Sequence, residues 1–167
     1  LLTGDMRVEA SADTTARIIS GAISGSAADL GIGAAIASLV NKDTVTARVG
    51  ASQVTAGGSI TIRAAGRNDF MIITVAPALS ASSQGTALGG SINVLVTNNS
   101  VRAIAAQGAR LKAAGDIAIL AQNDAFLLLI SLSASIGGQA AAGGTVAVIV
   151  SKNETAAQAL DQVALES

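Results

Sequence analysis

Met6, Val8 and Ala10 alternate with Arg7 and Glu9, the period of two that marks a strand with one face covered and one face wet. The same alternation returns at Ile60, Ile62 and Ala64 against Thr61 and Arg63, and again over Ile117 to Ala121. Each of these segments follows a glycine, in Gly4-Asp5-Met6, Gly58-Ser59-Ile60 and Gly115-Asp116-Ile117. The starts lie 54 and 57 residues apart, and Val40, Val96 and Val150 repeat at spacings of 56 and 54. A fixed period of this size marks a stacked repeat architecture. The pattern divides residues 1–167 into repeats 4–57, 58–114 and 115–167 of one solenoid segment, which we expect to belong to a longer array.

Within each repeat, polar triplets separate the apolar runs: Asp13-Thr14-Thr15 and Asn41-Lys42-Asp43, then Arg67-Asn68-Asp69 and Thr97-Asn98-Asn99, then Gln122-Asn123-Asp124 and Ser151-Lys152-Asn153. Asn and Asp favour turns, so these read as corners between about five short strands per repeat. A single circuit of a whole repeat would enclose more space than Ala, Val and Ile could fill at native packing density. The expected fold is therefore all-β: a parallel right-handed β-helix, or β-solenoid, with about two coils per repeat. Asp43, Asn99 and Asn153 align across the repeats and predict a ladder of stacked turns.

Composition supports a scaffold. Half of the residues are apolar, supplied almost wholly by small and branched aliphatics, with two Phe and neither Trp nor Tyr. The chain has no Cys and no His, which removes thiolate and imidazole ligands and the commonest general base. A formal net charge of −1 provides no field for nucleic acid. Gly31-Ile32-Gly33 and Gly89-Gly90 lack a following Lys and complete no phosphate-binding pattern. No cofactor or metal is expected. The acidic residues Asp5, Asp43, Asp69, Asp116 and Asp124 recur with the repeat, as solvated turn residues do, whereas an active site would break the repeat at one place. Two turns form sequons, at Asn98 and Asn153, which turn polarity explains and for which glycosylation is the alternative.

Charge is distributed unevenly. No Lys, Arg, Asp or Glu falls between Phe70 and Val101 or between Ala125 and Ser151. Two glycine pairs and a wealth of β-branched residues make the second run a set of strands and not a transmembrane segment. Strands apolar on both faces are normally covered on both. The candidate association face comprises Leu39, Phe70, Met71, Ile73, Val75, Leu95, Phe126, Leu127, Leu129 and Ile149. In this assignment Leu39, Leu95 and Ile149 point outward and alternate with inward Val residues.

The cycle Asn-x-(Thr/Ser)-Val-x-Ala, then (Val/Leu)-x-Ala-(Gly/Ala)-Gly-(Asp/Ser)-Ile-x-Ile-x-Ala, then a small-residue stretch ending Gly-Gly-(Ser/Thr)-(Ile/Val)-x-Val-x-Val, is carried by residues 41–64, 98–121, 86–96 and 140–150. It resembles the repeat region of giant bacterial exported adhesins, the filamentous-haemagglutinin-like and leukotoxin-like proteins. The resemblance implies a β-helical stalk, secretion to the cell surface and an adhesive role. The expected function is a non-catalytic stalk or fibre segment of an extracellular surface protein. Its expected partners are copies of itself and a host or neighbouring cell surface. A carbohydrate-active β-helix that cleaves or binds polysaccharide is the alternative.

Overall fold

The computed structural model describes residues 2–27 and 29–167. Among the described residues ten strands follow one another: β1 (Met6–Gly21), β2 (Ser24–Ser26), β3 (Leu30–Val49), β4 (Gln53–Ala56), β5 (Ile60–Ser80), β6 (Thr86–Ala105), β7 (Arg110–Ala113), β8 (Ile117–Ile136), β9 (Ala140–Ala159) and β10 (Ala164–Glu166). They form three parallel sheets. The first contains β1, β5 and β8 with β2, the second β3, β6 and β9, and the third β4, β7 and β10. This all-β, parallel, repeating architecture is a β-solenoid, consistent with a right-handed β-helix.

The register is the sequence period. Met6 pairs with Ile60 and Ile60 with Ile117, while Val40, Val96 and Val150 lie side by side. Stacking like on like gives inward columns of one kind of side chain such as Val8–Ile62–Ile119. Asp5 and Ser59 fasten successive repeat starts: Ser59 N–H donates to Asp5 Oδ1 at 2.8 Å, and Asp116 N–H to Ser59 Oγ at 3.2 Å.

Each strand meets its equivalent one full repeat away, so a repeat forms one coil and the expected two coils per repeat are corrected to one. The volume argument assumed a rounded circuit. Instead the two long sheets lie face to face, and the short third sheet closes only one end. At that wide end Ile60, Ile62, Val45, Val49, Val101 and Leu111 fill a three-sided core. Further along, Phe70, Ile72, Leu95 and Ala37 form a two-layered core. At the narrow end the backbones come so close that an added Cβ at Gly33 would fall 2.6 Å from the Pro77 carbonyl oxygen, and one at Gly89 2.7 Å from that of Ala76. Small residues thus suit a tapering, flattened coil.

The polar triplets are not corners either. β1, β3, β5, β6, β8 and β9 run straight through them. Their central or flanking polar residues point inward and pair there, where the wide core meets the narrow one. Asn99 and Asn68 are buried. Asn41 Nδ2 lies within hydrogen-bonding distance of Asp43 Oδ2 (2.9 Å), Asn99 Oδ1 (3.2 Å) and Asn68 Oδ1 (3.3 Å). Thr14 Oγ1 donates to Asp43 Oδ2 at 3.0 Å, Thr97 Oγ1 to Ser151 Oγ at 2.9 Å, and Asn99 Nδ2 to Asn153 Oδ1 at 3.1 Å. The Asp43–Asn99–Asn153 ladder exists as a stacked column, but as an interior seam within strands. These bonds satisfy the groups they join, so the chain has no need to turn, whereas Asn123 Oδ1 of the 122–124 triplet is buried without a partner.

Candidate association surface

Because strands β3, β5, β6, β8 and β9 continue without a break, one parity governs each of them from end to end. In β6 the half-buried Arg102 and the buried Val101 and Ala103 fix even-numbered residues as outward. Followed back along the strand, that parity turns Val96, Val94, Ile92 and Leu88 to the outside and Leu95, Asn93 and Ser91 to the inside. In β3 it exposes Ile32, Ile36 and Val40, the last at 75%, and in β9 the register places Val146, Val148 and Val150 beside Ile92, Val94 and Val96 of β6.

The expected face divides accordingly. Met71, Ile73 and Val75 stand on the outward side of β5. Phe126 is 59% exposed, since it pairs with the outward Asp69. Phe70 and Leu95 are wholly buried, and Leu39, Leu127 and Leu129 pack against the same cluster. Ile149 shares the inward column of Leu39 and Leu95 and is half exposed on the last coil. For Leu39, Leu95 and Ile149 the outward assignment is corrected, because an assumed corner at 41–43, 97–99 and 151–153 broke the parity count, and Phe70, Leu127 and Leu129 of the candidate face also point inward. The outer columns of the second sheet were missed for the same reason. The signal was present in the charged Arg48 and Arg102, provided that the strand is counted through the polar triplet.

Both outer faces of the flattened half are consequently apolar. On the first sheet Ile19, Ile73 and Ile130 form one outward column, and Val75 with Leu132 and Leu79 with Ile136 form two more. On the second sheet Ile32 and Leu88 form one column, Ile36, Ile92 and Val146 another, and Val40, Val96 and Val150 a third. Apart from Arg17, beside Met71 on the first sheet, and Asp29 just before β3, charge lies at the wide end, where Glu9 pairs in register with Arg63, and Arg67 sits between Asp13 and Asp124. There Arg102 meets Glu154 at 2.5 Å and Lys112 meets Glu166 at 2.9 Å, each across adjacent coils. Hydrogen bonding from Lys112 and its charge hold the Glu166 carboxyl below its ordinary range, and the reciprocal contact raises Lys112. Exposed pairs of this kind contribute little to stability.

Among the described residues no group of three or more His, Cys, Asp or Glu is placed to hold a metal ion. No helix there is long and apolar enough to cross a membrane. Asn98 is exposed on the outer side of β6, whereas Asn153 of the second sequon bonds inward to Asn99 and Ser151. No protein-family model, no characterised protein and no solved structure matches this chain.

Proposed function

We propose that this chain is a non-catalytic structural segment of an extracellular surface protein, a β-solenoid stalk or fibre at the bacterial cell surface, which adheres or self-associates through its uncharged outer faces. The observation that carries the reading is the separation of surface chemistry: most charges line the wide end, and the flattened half, Arg17 apart, bears aliphatic columns outside both sheets. Exposed apolar patches of this extent mark sites of contact. A β-solenoid consumes its interior side chains in stacking, so large side chains such as Ile36, at 67% exposed, serve no purpose in the core. The resemblance of the repeat cycle to exported adhesins supports the surface location.

The test compares the native chain with a double variant, Ile73→Lys with Ile92→Lys, which places one charge on each apolar face. Light scattering and electron microscopy of the native chain are expected to show lateral association, lost in the variant while the far-ultraviolet dichroism of the strands persists. A native chain that neither associates nor adheres to cells would overturn the reading.

A further inference from the structure

The columns outside the second sheet are not uniform. Between the ridge Ile36–Ile92–Val146 and the ridge headed by Ile32 and Leu88 runs a column of Ala34, Gly90 and Gly144. Its neighbours Gly89 and Gly143 face inward, where Ala76 O and Ser133 Oγ leave an added Cβ only 2.7 and 3.0 Å. The outer column is different. A Cβ at Gly90 would meet only the Gly144 carbonyl oxygen at 3.7 Å, and one at Gly144 would meet nothing within 4 Å. The fold itself therefore has no need of glycine at either place. Glycine within a strand weakens it by roughly 0.5–1 kcal/mol against alanine, and it often marks close approach of another backbone or a ligand. The column floors an apolar groove flanked by Ile36, Ile92 and Val146.

We propose that the groove receives the Ile36–Ile92–Val146 ridge of a second copy of this chain, second sheet against second sheet, with the two solenoids parallel. This rests on the association read above and names its partner and geometry. Ridge and groove are adjacent outward columns, about 6.6 Å apart along the strands. A two-fold axis along the solenoid direction, placed between them, lays each ridge in the opposite groove, an isologous contact. The same operation sets Ser38, Val94 and Val148 over Ile32, Leu88 and Ala142, apolar against apolar save for one hydroxyl. It also sends Lys42 and Lys152, which flank the face in one column, to opposite edges of the dimer. An in-plane axis perpendicular to the solenoid would instead stack groove on groove and bring Lys42 over Lys152 of the other copy. The matching coil repeats, about 4.8 Å in both copies, keep ridge and groove in step. The face from Leu30 to Val40 over three coils covers about 500 Å² in projection, short of the ~800 Å² per partner in a standard interface. Three coils thus give a reversible dimer.

Sedimentation velocity over a concentration series tests this. For the native chain the weight-average mass is expected to rise from one chain towards two. Gly90→Val and Gly144→Val fill the groove from outside at positions the fold leaves open, and each is expected to weaken the dimer at least tenfold with an unchanged or higher unfolding midpoint. Ile73→Lys, on the opposite face, is expected to leave this dimer intact. Association that survives both valine variants and yields to Ile73→Lys overturns the inference and upholds association through an apolar face. A native chain that remains a monomer at every concentration, and adheres to no cell surface, overturns both.

Discussion

Asn99 donates from Nδ2 to Oδ1 of Asn153, 3.1 Å away and one coil on, from a position almost wholly sealed from solvent. Its own Oδ1 accepts from Asn41 of the preceding coil at 3.2 Å. One amide thus joins three coils where the wide core meets the narrow one. Asn99→Ala removes the donor to Asn153 Oδ1 and one of the three acceptors around Asn41 Nδ2, and is expected to lower stability by about 1–3 kcal/mol. Asn98→Ala, one residue away and facing water, is expected to change it by less than about 0.5 kcal/mol. Denaturant midpoints for the pair check the ladder directly.

The two phenylalanines separate inside from outside. Phe70→Ala empties a fully buried site and is expected to cost about 3–5 kcal/mol. Phe126→Ala removes a ring that is mostly exposed and is expected to cost less than about 1 kcal/mol. Calorimetric melting that ranked the two equally would refute the assigned parity of β5 and β8.

Adjacent glycines are expected to respond in opposite directions. Gly89→Ala forces a methyl group against the Ala76 carbonyl and should destabilise by about 1–3 kcal/mol. Gly144→Ala meets open space and should stabilise by up to about 1 kcal/mol. Hydrogen exchange of β6 and β9 amides reports both.

The Lys112–Glu166 contact joins β7 to β10. The Glu166 carboxyl is held below 4.5, first by the hydrogen bond from Lys112 and then by its charge, so its contribution is complete above that value and lost as pH falls through the folded-state value. Lys112 is raised above 10.5, so its contribution is complete below 10.5 and lost as pH rises through the folded-state value. Lys112→Gln should return the Glu166 titration towards 4.5 in carboxyl-detected NMR, and salt should narrow the difference between native and variant.

The sequence alone determined the repeat period and the strand register, because parallel stacking places like residues beside like. Met6, Ile60 and Ile117 are aligned by their period before any coordinate is known, and the pairing follows that alignment. Period two also established that one face is covered wherever charges alternate with aliphatics. Where both faces are apolar, alternation has no phase: Leu95 and Val96 are equally good core residues, and only the unbroken strand from Arg102 decides that Leu95 goes in. Asn and Asp likewise suit a turn or an interior ladder, and the choice depended on whether a second sheet stood opposite to supply partners. The number of coils depended on cross-section: a flattened coil closed by β4, β7 and β10 encloses little volume despite its length, and that closure arises from tertiary contact between sheets far apart in the chain.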